Sequence, residues 1–164
     1  MIQARVARAK KPVRRNRETG VHLWLVMMKA FHAMEAHAEA SLKGCGLGSS
    51  DFRVLEVLLH KGPLPVNTIG PKVYLTPGSI SVAVDRLHAK RLVSRTEDSG
   101  DRRVRMVELT QEGRALIARV FAQHAAAMEA ASKGLSGRER VQLMGLLKKL
   151  GKYAELDPTR LSKR

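Results

Sequence analysis

Along most of the chain, apolar residues recur at three- and four-residue steps, with one interruption. Val21, Leu25, Met28, Phe31, Met34 and Ala38 keep that rhythm between about Glu18 and Lys43, which predicts a long amphipathic helix. Gly44-Cys45-Gly46 and Gly48 end it. Ser49-Ser50-Asp51 is a helix-start cluster ahead of Phe52, Val54, Leu55, Leu58 and Leu59, and Lys61-Gly62-Pro63 stops that shorter helix. A third segment, Val66–Val73, places Ile69 and Val73 at helical spacing. Thr76-Pro77 opens a fourth: threonine is a good N-cap, and proline at the first helical position gives up an N–H that has no partner there anyway. Ile80, Val84 and Leu87 form its buried stripe, which leaves a small, polar exposed side near its start.

The period then falls from about 3.6 to 2. Leu92–Thr96 and Val104–Leu109 read as strands, joined by a charged tip from Glu97 to Arg103. Thr110-Gln111-Glu112-Gly113 caps a helix running to about Ser132, and Ser136 to about Leu156 forms the last, with Val141, Met144, Leu147 and Leu150 on one stripe. The predicted fold is mainly α, ordered α-α-α-α-β-β-α-α with room for a short extra strand. Three short helices followed by a hairpin describe a winged helix-turn-helix. The long flanking helices carry more apolar surface than that unit can cover, which predicts packing against each other and against a second copy of the chain. The expected divisions are a basic arm over 1–17, a first dimerisation helix and loop over 18–46, a DNA-binding lobe over 47–109, C-terminal dimerisation helices over 110–157, and a basic tail over 158–164.

Charge narrows the partner. Thirty basic residues face fifteen acidic ones, a net charge of +15 over 164 residues. Residues 1–17 hold seven basic side chains and no acid, and the last seven residues add three more. Residues 18–157 keep +5, and segment 61–105 alone carries +5, so the rest of the body is neutral on balance. One basic segment with basic tails suits a polyanion such as nucleic acid. Candidate phosphate contacts are Lys72, Arg86, Lys90, Arg91, Arg95 and the N-terminal arm. Base readout falls to the start of the fourth helix, where Ser79 and Ser81 offer hydroxyls and Pro77 and Val82 offer apolar contact to a thymine methyl.

The remaining chemistry is sparse. A lone cysteine, Cys45, rules out an intrachain disulfide and points to a reducing, cytoplasmic setting at the bacterial nucleoid. It is a candidate oxidant sensor, although only Lys43 adjoins it as a source of positive charge. The apolar run Leu23–Met28 is too short for a secretory signal, and nothing approaches a membrane span. His32 and His37 stand five apart and diverge on a helix, so no metal ligand set is expected, and no cofactor. The chain lacks a phosphate-cradling glycine loop, a zinc signature and a nucleophile–base pattern, which argues against an enzyme.

From about Leu47 to Gly113 the chain resembles the MarR family of multiple antibiotic resistance regulators. The specific residues are Asp101-Arg102-Arg103, Leu109-Thr110 and Gly113, together with the helix opening Leu75-Thr76-Pro77-Gly78-Ser79-Ile80-Ser81. One position departs from the pattern: Arg91 stands where the family has a glycine after the recognition helix, a place where the chain turns left-handed. The resemblance implies that Arg103 enters the minor groove at the hairpin tip with Asp101 aligning it. It implies a homodimer on a pseudo-palindromic double-stranded operator, most simply as a repressor. It also implies a small phenolic or aromatic-acid effector near the dimer helices, with Trp24, Met28, His32 and Phe52 as candidate pocket residues. The alternative that the basic tails keep open is a non-specific or architectural DNA-binding protein.

Overall fold

In the computed structural model the described residues are 19–97 and 105–155. Their order is α1 (Gly20–Ser41), α2 (Ser49–Lys61), β1 (Leu64–Pro65), α3 (Val66–Val73), α4 (Pro77–Ala89), β2 (Val93–Glu97), β3 (Arg105–Leu109), α5 (Gln111–Ala131) and α6 (Gly137–Ala154). The expected helices and strands are all present, and the short extra strand is β1.

The chain divides into two compact units, Met1–Ala33 and Met34–Arg164, the boundary falling inside α1. In the first, Thr19 accepts a hydrogen bond from the His22 backbone N–H and so begins the helix a residue or two later than the apolar pattern suggested. Val21, Leu23, Trp24, Leu25, Val26 and Phe31 are each at least half exposed.

The second unit holds the core. Leu55, Leu58, Ile69, Leu87, Val93, Val107 and Ile117 are almost fully withdrawn from solvent, so α2, α3, α4, the sheet and α5 share one apolar interior. The sheet is antiparallel with order β1-β3-β2, Val93 opposite Leu109 and Arg95 opposite Val107. Leu64 pairs with Val107 on the other edge, which is how two residues of β1 close the sheet onto α3.

Two junctions explain residues that carry the family resemblance. Thr110 caps α5 by accepting from the Gly113 N–H at 3.0 Å while its hydroxyl donates to the Arg91 carbonyl at 2.8 Å. A Cβ on Gly113 would lie 1.9 Å from the Leu92 carbonyl oxygen, so no larger residue fits. At the end of α4, Leu92 N–H bonds to Leu87 O and Arg91 N–H to His88 O, with Arg91 left-handed at φ 58°. This is the double hydrogen-bond ending that normally uses glycine. Arg91 therefore adopts the geometry of the residue it replaces. Tyr74 also ends its helix, α3, left-handed at φ 56°, but there its own N–H and that of Leu75 both reach the Gly70 carbonyl, a turn the composition around it did not announce.

Helix α6 has no buried residue: Val141, Met144, Leu146 and Leu147 are all substantially exposed. No helix among the described residues is long and apolar enough to cross a membrane.

Candidate nucleic-acid interface

Helix α4 is built to present its first turns. Thr76 accepts from the Ser79 N–H at 3.2 Å, and its hydroxyl donates to Ser79 Oγ at 2.9 Å. Pro77 follows at the first helical position. Ile80, Ala83, Val84 and Leu87 bury one face of the helix in the core. That leaves Pro77, Gly78, Ser79, Ser81 and Val82 exposed together on the other, with Val82 58% accessible. Ser81 Oγ donates to the Pro77 carbonyl at 3.1 Å, which leaves the oxygen's lone pairs free to accept. A short, small-residue helix end rich in hydroxyls can approach base edges in a major groove without steric obstruction.

The cations behave differently from one another. Lys72 and Arg91 are exposed, and Tyr74, 91% accessible, stands beside the helix start. Arg86 is instead bound to Asp51 of α2: Nε lies 2.9 and 3.0 Å from the two carboxylate oxygens and Nη2 2.6 Å from one of them, with Nη2 also 3.1 Å from Ser50 Oγ. The carboxylate's hydrogen bonds and charge hold the Arg86 guanidinium even more firmly protonated than usual. Lys90 Nζ donates to the Gly46 carbonyl at 2.9 Å and lies 3.9 Å from Asp51. Arg95 on β2 pairs with Asp85 on α4, its Nε buried, so that the base of the wing is tied to the recognition helix. A cleft of about 590 Å³ lies along this junction between α3, α4 and the strands, with Ser81, Asp85, Arg95 and Arg105 among its walls. Asp101, Arg102 and Arg103, expected at the wing tip, lie outside the described residues, as do the arm 1–17 and the tail 158–164.

The sequence reading missed Asp51, taking it as part of a helix start. A signal was present: Asp51, Leu55 and Leu58 lie at i, i+4 and i+7, so a carboxylate occupies the apolar stripe of α2 and requires a cation to bury.

The other candidate residues are dispersed. Trp24, Met28 and His32 lie in the first unit, Trp24 55% accessible. Phe52 belongs to the second, where its ring meets His124 at a tilt of 50° with centroids 4.7 Å apart and lines a cavity of about 180 Å³ with Glu39, Leu42 and Arg53. His124 Nδ1 is in turn 2.9 Å from Ser41 Oγ. Cys45 is half-buried, its thiol donating to the Leu42 carbonyl at 2.9 Å. No cluster of three or more metal-ligating side chains occurs among the described residues.

Fold and interface together define a winged helix-turn-helix DNA-binding regulator. Residues 46–104 match the model of the MarR family. The chain is 34% identical over 138 residues to the HTH-type transcriptional regulator MhqR of Bacillus subtilis, covering 84% of this chain and 95% of that one. It is 29% identical over 140 residues to the HTH-type transcriptional repressor MdtR of the same organism, covering 85% and 90%. Among solved structures it superposes with TM-score 0.72 and 25% identity on Bordetella bronchiseptica BpsR, covering 87% of this chain and 97% of that one. The chain belongs to the MarR family, and it is accordingly a DNA-binding transcriptional regulator and not an enzyme.

Proposed function

We propose that the protein is a homodimeric repressor that reads a pseudo-palindromic operator, one α4 helix entering the major groove of each half-site. The observation that carries this reading is the exposed first turns of α4, where Pro77, Gly78, Ser79, Ser81 and Val82 are presented together while the opposite face is buried in the core. The apolar residues left exposed on α1 and α6 supply what a second copy would cover. Two-fold symmetry then calls for half-sites about one helical turn apart. Arg103, aligned by Asp101, reads the flanking minor groove. MdtR, a repressor by name, supports the direction of regulation.

Release by a small phenolic or aromatic-acid effector fits the same scheme. The BpsR structure concerns regulation of that protein's DNA binding by 6-hydroxynicotinic acid. In this chain the cavity beside Phe52 and His124 is the candidate for such an effector.

The deciding experiment selects bound duplexes from a random pool and titrates the winner against random DNA at fixed salt. The expected outcome is an inverted repeat preferred by roughly a thousandfold or more. Equal affinity for both would favour the architectural alternative, for which the basic ends of the chain argue. Arg103→Ala is expected to abolish that preference while the protein remains a folded dimer; unchanged affinity would remove the wing from the mechanism.

A further inference from the structure

We infer that Asp51, Arg86 and Lys90 form a clamp that sets the angle of the recognition helix, so that two basic residues on α4 and its end act as positioning residues and not as phosphate ligands. The inference rests on α4 being the reading helix. Asp51 is 1% exposed, in the first turn of α2, where the helix dipole favours a carboxylate. It accepts three contacts from Arg86, whose charge balances its own, and Lys90 stands as a second cation 3.9 Å away. Lys90 and Arg86 then extend the link, Lys90 to the Gly46 carbonyl in the loop before α2 and Arg86 to Ser50.

Apolar packing holds α4 against α2 but is non-directional, so by itself it tolerates small rotations. A forked arginine–carboxylate contact has a fixed geometry and does not. The lever matters. From Arg86 to Pro77 the helix rises about 13 Å, so a tilt of about 10° at the clamp moves the reading end by about 2 Å. Hydrogen bonds to base edges fail over that distance, whereas attraction to phosphates, being long-ranged, persists.

The test compares Asp51→Asn, Arg86→Gln and the double variant with the parent protein on the duplex that the parent selects from a random pool and on random DNA, across a salt series. Each single variant is expected to lose about tenfold in preference for the selected duplex, and the double variant to lose no more than either alone, as for residues acting through one contact. The slope of log affinity against log salt should stay within about half a unit of the parent's. If Arg86 contacts phosphate, its slope falls instead by about 2 for a dimer, at about 0.9 per phosphate, and the clamp is overturned. It is equally overturned if Asp51→Asn retains the full preference. Should Asp51→Asn fail to fold, the exposed Lys90→Gln decides: a smaller loss of preference at constant slope supports the clamp, and a reduced slope refutes it. A parent protein that prefers no duplex would sink the operator reading itself, whereas a discriminating parent with indifferent variants sinks only the clamp.

Discussion

The carbonyl of Leu92 and the backbone of Arg91 meet the start of α5 at one crowded point, and single residues there have calculable effects. Gly113→Ala would drive a Cβ to 1.9 Å from the Leu92 oxygen, a conflict between two backbones that neither side-chain rotation nor a small shift relieves. The expected cost is about 3 kcal/mol, the upper range for overpacking, read as a lowered urea midpoint. Arg91→Gly works in the opposite direction. Removing a Cβ from a left-handed residue at φ 58° should stabilise the fold by about 0.5–1 kcal/mol after the added freedom of the unfolded chain is counted. If Arg91 contacts phosphate, the same variant melts higher yet binds DNA less tightly, with a shallower salt dependence; an unaltered slope would assign Arg91 to the turn alone. The left-handed turn at Arg91 was legible in advance because a family glycine marks the place. The one at Tyr74 was not, since nothing in Lys72-Val73-Tyr74-Leu75 signals a residue with positive φ.

Among the elements, α6 carries its own pH sensor of stability. Glu139 Oε2 accepts from the Ser136 hydroxyl at 2.6 Å and from its backbone N–H at 2.8 Å, and these two bonds depress the carboxyl below the usual glutamate value. A group depressed on folding contributes stability that is complete above its unfolded value and is lost as pH falls through the folded one. Helix α6 should therefore fray below the ordinary carboxylate range. Glu139→Gln should flatten the dependence of helicity on pH between 7 and 3, measured by circular dichroism; a variant as acid-sensitive as the parent would show that other carboxylates govern it. Helix α4 depends on its cap in a different way. Thr76→Ala is expected to cost about 1 kcal/mol and, if the first turn of α4 reads DNA as proposed, to weaken operator binding as well. The Thr76-Pro77 cap was read from the sequence; the Ser136–Glu139 cap was not, although serine three residues before glutamate is an equally local signal that needs no tertiary partner.

For the molecule as a whole, the balance of charge and exposed apolar surface sets the behaviour. If the proposed dimer neutralises about six phosphates, the slope of log affinity against log salt should be near −5. A slope near −2 would mean that the basic residues outside the ion pairs do not reach the duplex. Self-association should depend on α6: Leu147→Glu places a charge on a face 43% exposed in the single chain, so it is expected to yield monomers with little change in the helical content of the DNA-binding lobe. Sedimentation that still reports dimers would move the interface elsewhere.

What the sequence by itself determined is whatever depends on neighbours a few residues away: helix starts and stops, the switch from a period of 3.6 to 2, the hairpin, the exposed helix opening at Thr76, and the excess of positive charge. Tertiary structure alone decided which charges are available. Arg86, Lys90 and Arg95 look like Lys72 and Arg91 along the chain, but folding brings the first two to Asp51, about 35 residues away, and Arg95 to Asp85. A carboxylate on the apolar stripe of α2 signals that some cation must meet Asp51, but which cation does so follows from where the backbone crosses itself, and local composition holds no record of that crossing.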